Sequence, residues 1–365
     1  MMPVEAFLRQ DAEAVRPAPA LVKRGWRKLL FGDVASSLLT VLISLCALWA
    51  VPRVLDWAVF DAVWRGNGQA CFDAGACWAF LGAKWPLILF GIYPPDQQWR
   101  PIVVVLAFLA ITLWSLPERN WTRATATGWL VVIVSSLLLM GGDTLGLQPV
   151  PTGDWGGLPI TILLTVLSLT IGFPFGILLA LGRRSEDRMM RWLSVGFIEI
   201  VRGLPLLTML FIAAILLPLM LPDGVTFDNL SRALVALTFY SAAYLAEVIR
   251  GGLQSLPKGQ EEAARALGLG RLATLRFIIL PQAIHAVIPP LTNTVVVVVK
   301  NTSLVLVVGL FDLLSAGRSA LTDPDWPSPY IETYILVGFV YFVICFGISR
   351  YSLWLEHKLS AGVQR

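Results

Sequence analysis

The chain has 365 residues, of which 56% are hydrophobic and only 14% are charged, and its formal net charge is +4. Soluble domains carry about 25% charged residues, so this composition excludes a single water-soluble core and indicates a protein that lies in a bilayer. We attribute the small positive charge to membrane topology and not to nucleic-acid binding.

The sequence predicts eight membrane spans. A spanning helix needs about 20 mostly apolar residues, and the second and third stretches are short by that measure. The first follows about thirty mainly polar residues, too late for a cleavable signal peptide, so we expect a retained anchor. The predicted spans are 34–59, 101–116, 125–140, 158–181, 192–221, 230–249, 286–314 and 331–349.

Basic residues concentrate in every second segment outside these predicted spans. Short cytoplasmic loops hold an excess of Lys and Arg, and here the bases concentrate before residue 34, at 119–123, 183–191 and 258–276, and after residue 349. The first external loop is less regular, since it contains Arg65, Lys84 and Arg100. The pattern predicts that both termini are cytoplasmic.

Composition divides the chain into four parts. We expect a cytoplasmic N-terminal segment at 1–33, an extension at 34–140, a core at 141–349 and a cytoplasmic tail at 350–365. The extension holds three predicted spans and an external loop at 61–100, whose apolar part is predicted to form an amphipathic or re-entrant helix at the interface. The core holds five spans and nearly all the intramembrane polar residues.

The cysteines differ in their predicted surroundings. Cys46 and Cys345 fall within spans, where a cysteine acts as a small apolar side chain. Cys71 and Cys77 fall in the external loop, where a disulfide can persist, and Asp73 and Gly75 between them suit a tight turn. We expect a bridge, with free thiols as the alternative; two cysteines alone are too few for a metal site.

A charged stretch at 251–282 interrupts the apolar sequence. Glu261 and Glu262 fall in the first turn of a predicted helix, where the helix dipole favours negative charge, and "ALGLG" supplies a glycine stop before a second short helix at 271–280. About thirty residues is far more than two neighbouring spans need as a connection. The stretch is either a solvated surface loop or a docking element for a cytoplasmic partner.

The spacing within this stretch favours docking. Glu262-Ala263-Ala264, Gly268, Ile278 and Leu280-Pro281 match the pattern E-A-A-x3-G-x9-I-x-L-P. This pattern resembles the signature of the membrane-spanning subunits of bacterial ABC importers. In that family the segment is the coupling helix gripped by the ATPase. Its residues here are Gly259, Glu262, Ala263, Ala264, Gly268, Leu280 and Pro281.

Neighbouring motifs indicate which subgroup of these importers the chain resembles. "SLPKGQEEAARALG", "ILPQA", "IPPLTN" and "VKNTSLV" are similar to the polar amino-acid permeases of the histidine and glutamine class. The long extension, "GACWAF", "FIEIVRGLPL" and "VVGLFDLL" look like the general L-amino-acid or glutamate/glutamine/aspartate/asparagine permeases of alphaproteobacteria. One departure is that Ile284 and His285 follow "LPQA", where the family commonly has a base.

The resemblance implies an all-α inner-membrane protein with a type I importer core of five spans behind a three-span extension. It implies a second related permease chain, an ATPase dimer that binds ATP and Mg, and a periplasmic amino-acid-binding protein. The chain has no phosphate-binding loop of the form G-x-x-x-x-G-K-[ST]. We therefore expect a non-catalytic subunit that binds no cofactor, and no metal site or nucleophile motif is evident.

Two Glu-Arg pairs lie within predicted spans, and intramembrane charges are usually functional. Glu199 with Arg202, and Glu247 with Arg250, are each three residues apart and so share a helix face. For Glu247 and Arg250 we favour a structural or gating role. Glu199 and Arg202 are assigned either to such a role or to the substrate path, because Pro205 should break the helix beside them.

Lys300 falls about halfway through its predicted span, where a cation costs at least about 2.5 kcal/mol. Asn301, Thr302 and Ser303 follow it, and Asn293 lies two turns earlier on nearly the same face. These groups suit the carboxylate and ammonium of an amino acid. Either Lys300 lies in the substrate path, or it pairs with a carboxylate on another helix.

Three classes of function fit a polytopic membrane protein. An ABC importer permease for polar L-amino acids explains the charged stretch at 251–282. An ion-coupled secondary amino-acid transporter would use the same buried charges but needs no docking helix of this pattern. A membrane-embedded enzyme is disfavoured, because His285 and His357 are the only histidines and no catalytic constellation surrounds them.

Overall fold

The computed structural model describes residues 26–222, 224 and 227–363. The first 25 residues of the predicted N-terminal segment lie outside this range. Backbone contacts divide the chain into two compact units, 1–62 with 73–76, and 63–72 with 77–365. Residues 77–140 of the predicted extension therefore belong to the same unit as the predicted core.

The first unit is built around one long apolar helix. Within its described part, α1 spans Trp26–Phe31 and α2 spans Val34–Leu55, followed by a wider π-helical turn at Asp56–Phe60. Asp33 caps α2, since its carboxylate accepts the Ser36 amide at 2.7 Å, and this hydrogen bond lowers the pKa of Asp33. None of the α2 residues is buried, as befits a helix surrounded by lipid.

The second unit contains the other helices. They are α3 Trp78–Phe90, α4 Trp99–Ser115, α5 Arg123–Gly141, α6 Gly157–Arg183, α7 Arg188–Gly203, α8 Leu206–Phe211, α9 Leu217–Met220, α10 Asn229–Ser255, α11 Gly259–Ala266, α12 Arg271–Thr274, α13 Leu280–Ala286, α14 Ile288–Asn301, α15 Leu313–Ala320 and α16 Tyr330–Val363. A two-residue strand, β1, lies at Phe311–Asp312. The prediction of an all-α membrane protein is confirmed in essence.

Seven of the described helices are long and apolar enough to cross a membrane, or eight if the bent pair α7 and α8–α9 forms one span. The predicted span at 192–221 is wrong as a single straight helix, because its two parts meet at 105°. Leu204 and Pro205 are both extended at the bend. Proline disfavours helical geometry in the residue before it and lacks the amide that would continue the ladder.

The predicted span at 286–314 is also too long. The α-helix ends at Asn301, tightens into a 3₁₀ segment at Thr302–Val308, and stops at Gly309, which has φ +83°. The chain then enters β1, which pairs with Gly156 and Gly157 at the start of α6. Glycine tolerates the left-handed conformation that ends such a helix.

Helices α6 and α10 form the centre of the second unit. Small residues let their backbones approach: a Cβ added at Gly176 would lie 3.0 Å from the Ala242 carbonyl oxygen. Ala242, Ala243 and Ala246 are completely buried on the facing side of α10. In a bilayer the hydrophobic effect does not drive helices together, because lipid tails are as apolar as the side chains. Small residues allow close contact instead, and the helices gain dispersion energy from it.

The predicted interfacial helix of the external loop is α3. Its Phe80 and Ile88 are completely buried and pack in one cluster with Leu313 of α15 and Val337 of α16. Lys84, between these two residues on the helix, forms an ion pair with Asp323, and the hydrogen bond from Lys84 lowers the pKa of Asp323. The segment is thus a packed part of the second unit.

A disulfide joins Cys71 to Cys77 just before α3, with the Cα atoms 5.5 Å apart. The amide of Cys77 donates to the buried carboxylate of Glu332 at 2.6 Å, which ties this loop to the first turn of α16. Cys46 and Cys345 are free, the first exposed and the second buried.

Gly91 ends α3 where two backbones cross. It has φ +64°, and a Cβ built on it would lie 2.7 Å from the Cα of Gly156. We expect Gly91→Ala to destabilise the protein by about 2–5 kcal/mol. The added Cβ both strains the left-handed backbone conformation and overpacks the contact with Gly156. Thermal unfolding in detergent measures the loss. Gly82→Ala, on the same helix with open space around its Cβ, is the matched control, and equal stability of the two variants would contradict the prediction.

Candidate functional site

The charged stretch at 251–282 folds as a helix and a turn followed by a second helical run. Helix α11 begins at Gly259, and Glu261 and Glu262 lie in its first turn. Gly268 has φ +78°, and its amide donates to the Arg265 carbonyl at 2.9 Å while the Leu269 amide donates to that of Ala264 at 3.1 Å. These bonds satisfy the helix C-terminus in the manner of a glycine C-cap.

The signature residues of this stretch divide between two surfaces. Ala264 is 1% exposed and faces the protein. Gly259, Glu262, Ala263 and Gly268 are exposed, with small residues that leave the backbone accessible beside one carboxylate. Leu280 and Pro281 start α13, where proline at the first turn costs no hydrogen bond. The exposed group forms a shallow face that a partner can contact closely.

The stretch is attached firmly to the membrane helices. Ala283 of α13 is completely buried, and a Cβ added at Gly252 of α10 would lie 2.5 Å from its carbonyl oxygen. An ion pair of 2.8 Å joins Arg271 to Glu186, in the loop between α6 and α7. Displacement of α11 therefore acts on α10, on α13 and on the α6–α7 loop.

Exposed apolar side chains accompany the signature, and sequence reasoning missed them. Leu267 is 80% exposed, Leu272 77% and Phe277 68%. Leu272 and Phe277 line a groove of about 470 Å³ with Gly270, Arg271, Ala273 and Arg276. Large apolar groups on such a surface mark an interaction site more often than chance exposure. The sequence did contain a signal for this surface, because Leu272 and Phe277 lie directly beside Arg271 and Arg276.

Five charged side chains form an ion cluster where α6, α7 and α10 meet: Arg183, Glu199, Arg202, Glu247 and Arg250. Arg183 donates to Glu199 at 2.8 Å and lies 2.9 Å from Glu247. Arg250 bonds both carboxylate oxygens of Glu247, at 2.9–3.2 Å, and Arg202 approaches Glu247 at 3.4 Å. Glu247, 14% exposed, is the hub.

The structure modifies the pairing expected from sequence. Glu247 and Arg250 pair on one helix face, as their spacing predicts. Glu199 and Arg202 do not pair with each other: Glu199 bonds Arg183, and Arg202 turns to Glu247. The reason is tertiary, because α7 packs against both α6 and α10 and each of its charges has a closer partner across a helix boundary.

Two tyrosines continue from the ion cluster along α10. The rings of Tyr240 and Tyr244 have centroids 4.5 Å apart, and the Arg202 guanidinium lies 5.6 Å from the Tyr244 centroid. Helix α10 packs against α14, whose last residue is Asn301. Because Tyr240, Tyr244 and Glu247 recur at helical spacing, they form one polar face that connects Asn301 with the cluster. Sequence reasoning missed both tyrosines, although their spacing before Glu247 was visible.

The predicted mid-membrane residues do not share one surface. Lys300 and Asn293 are exposed, and within the described residues no carboxylate lies within ion-pair distance of Lys300. Thr302 is completely buried and donates to the Val299 carbonyl at 2.7 Å. The Ser303 hydroxyl donates to the Lys300 carbonyl at 2.8 Å. Residues two apart on a helix point to opposite sides, so Thr302 faces away from Lys300.

Asp312 has a structural role. It is completely buried, caps α15 by accepting the amides of Leu314 and Ser315 at 2.9 and 3.1 Å, and accepts the Tyr341 hydroxyl at 3.1 Å. Its oxygens are thus occupied.

Comparisons with known proteins give a consistent result. Residues 172–361 match the family described as "Binding-protein-dependent transport system inner membrane component". The chain is 42% identical to the inner membrane amino-acid ABC transporter permease protein YhdY of Escherichia coli, over 92% of each chain. It is 34% identical to the glutamate/glutamine/aspartate/asparagine transport system permease protein BztC of Rhodobacter capsulatus, over 97% of this chain and 98% of that one.

A solved structure, described as an amino acid ABC transporter with histidines, matches with a TM-score of 0.49 at 33% identity, over 55% of this chain and 90% of the other. The family match covers more than half of the chain, and two relatives match it over nearly their whole length. The chain therefore belongs to the binding-protein-dependent transport system inner membrane components, the multi-span permease subunits of ABC transporters.

Proposed function

We propose that this chain is the permease subunit of an ATP-driven importer that moves polar L-amino acids from the periplasm to the cytoplasm by alternating access. The substrate class includes glutamate, glutamine, aspartate and asparagine, the amino acids named for the BztC relative. Membership of an ABC permease family supports this function over ion-coupled secondary transport.

The observation that carries the proposal is the exposed face of α11. Glu262, Ala263 and Gly268 are held in water by a glycine-capped helix whose ends are fixed to α10 and α13. A helix of this kind, with small residues around one carboxylate, transmits a rigid displacement. We assign it as the element held by an ATPase dimer that binds ATP and Mg, while this chain binds no cofactor.

The remaining partners follow from the same assignment. A second, homologous permease chain completes the transport path, and a periplasmic amino-acid-binding protein delivers the substrate. In this arrangement α11 and both termini face the cytoplasm.

The exposed Lys300, with Asn293 and Asn301, lies on the substrate path, whereas the positions of Thr302 and Ser303 support a role in shaping the helix.

Reconstitution tests the proposal. The complete transporter is placed in lipid vesicles with the binding protein outside and ATP inside, and uptake of the four amino acids is measured with radiolabelled substrates. We expect uptake that requires ATP and the binding protein and persists when ion gradients are collapsed by an ionophore. Uptake driven by an ion gradient without ATP would support the secondary-transport alternative instead, and uptake of none of the four would contradict the proposed substrate class.

A further inference from the structure

The ion cluster carries more positive than negative groups. Its three guanidinium groups, on Arg183, Arg202 and Arg250, face two carboxylates, on Glu199 and Glu247. Across the described residues, no other carboxylate forms an ion pair with any of the three. A surplus cation that is partly removed from water is costly unless an anion joins it.

Arg202 is the cation in surplus. Arg250 bonds both oxygens of Glu247, and Arg183 bonds Glu199 and Glu247 at 2.8 and 2.9 Å. Arg202 makes a single approach to Glu247 at 3.4 Å, and 36% of its side chain is exposed. Hydrogen bonds of good geometry between charged groups are shorter than 3 Å, so Arg202 is the member most easily released to another carboxylate.

Tyr244 holds this guanidinium in place without satisfying its donors. The guanidinium carbon lies over the ring, 5.6 Å from its centroid, a cation–π contact that uses none of the N–H donors. Arg202 also directly precedes the bend between α7 and α8, where Gly203 and Pro205 are exposed. Irregular backbone at membrane depth occurs where it lines protein or water.

We propose that Arg202, positioned by Tyr244, is the carboxylate-binding residue of the substrate path on the α11 side of Lys300, and that the substrate's carboxylate displaces Glu247 from it. The Tyr240–Tyr244 face of α10 then connects a site at Lys300 and Asn301 with a second site at Arg202. This inference rests on the proposed function, since it specifies how that path receives an amino-acid carboxylate. Glu247 keeps Arg183 and Arg250 when Arg202 leaves, so the helix junction survives the exchange.

Competition between Glu247 and the substrate for Arg202 predicts a result that differs from the result expected if the Arg202–Glu247 pair were purely structural. If Glu247 competes with the substrate for Arg202, removing the competitor strengthens substrate binding, whereas removing Arg202 weakens it. If Arg202 serves only to hold Glu247, both changes break the same contact and act in the same direction. The sign of the two effects therefore distinguishes the two roles.

The test uses the complete permease–ATPase complex in lipid nanodiscs, without nucleotide or binding protein. The probe is radiolabelled L-glutamate, or whichever of the four amino acids the wild-type transporter accumulates fastest. We expect Arg202→Gln to weaken binding at least tenfold, Glu247→Gln to strengthen it severalfold, and Tyr244→Leu to weaken it three- to tenfold. Tyr244→Phe, which keeps the ring, and Arg191→Gln, which removes an exposed arginine elsewhere on α7, should bind as wild type does.

Two results overturn the inference: wild-type affinity in Arg202→Gln, or equal weakening in Arg202→Gln and Glu247→Gln. Should Arg202→Gln fail to assemble, Arg202→Lys answers the question, because it keeps the charge but loses the planar fork and should bind the probe less tightly. A wild-type transporter that takes up none of the four amino acids contradicts the proposed function. Uptake by the wild type together with unaltered binding by Arg202→Gln contradicts this inference alone.

Discussion

Glu262→Arg is expected to abolish ATP-driven uptake and to prevent the ATPase from co-purifying with this chain, while the membrane helices stay folded. The Glu262 side chain is exposed, and its carboxylate has no hydrogen bond or ion pair within the described residues. Its loss therefore costs the chain only the helix-dipole interaction, about 0.3–1 kcal/mol. A large functional effect with so small a cost in stability must arise at a partner's surface.

Glu261 offers the matched control, because it is the adjacent acid in the same turn. Its carboxylate already accepts a hydrogen bond from Arg265 at 2.7 Å on the same helix. We expect Glu261→Gln to retain most uptake and ATPase binding. Co-purification on a tagged chain, uptake in vesicles and thermal unfolding are measured in parallel, and normal ATPase recovery with Glu262→Arg would refute the docking role of α11.

Gly268 tests the shape of the same element without changing its charge. An added Cβ there has open space, but the backbone has φ +78°, so Gly268→Ala costs about 1–2 kcal/mol of local strain. The strain is relieved by unwinding the end of α11, and weaker ATPase binding should follow. Gly270→Ala has equal space and φ −67°, and it should leave the turn intact.

Lys300→Ala is expected to lower uptake at least tenfold, or to uncouple ATP hydrolysis from uptake, without preventing assembly. Lys300 is exposed near the middle of the candidate span Ile288–Val308, and its ammonium pairs with no carboxylate of the described chain. An unpaired cation at that depth costs at least about 2.5 kcal/mol, so its removal should not destabilise this chain. The expected loss is therefore one of transport.

The measurement compares uptake, ATP hydrolysis and thermal stability in one reconstituted preparation. Lys300→Arg keeps the charge and should retain part of the activity. Val297→Ala, at an exposed apolar position one turn earlier, is the control for shortening a side chain on this face. Unchanged uptake in Lys300→Ala removes the residue from the path, whereas loss of the permease pair with no specific transport defect would show that it locks to a carboxylate of the second permease.

Several features could be predicted because each depends on neighbouring residues. Apolar length located the membrane helices, and the Asp-Gly-rich loop between Cys71 and Cys77 indicated the bridge that the structure contains. The spacing from Glu262 to Pro281 predicts a coupling element, and this role stays a prediction. Pro205 marked the break between α7 and α8, although the bend of 105° exceeds what a kinked span implies.

Other features required the tertiary structure. Glu199 and Arg202 share a helix face, yet Glu199 bonds Arg183 and Arg202 turns to Glu247, contacts set by where α6, α7 and α10 meet. Thr302 and Lys300 are two residues apart and face opposite sides, and only the packing shows that Thr302 is the buried one.

The sequence by itself determined the membrane setting and the permease family, because hydrophobicity and motif spacing are carried by contiguous residues. The tertiary structure alone decided which charges meet and which cation is left in surplus. Those outcomes depend on distances between residues far apart in the chain, and electrostatic energy depends on distance and burial, neither of which is encoded in spacing along one helix.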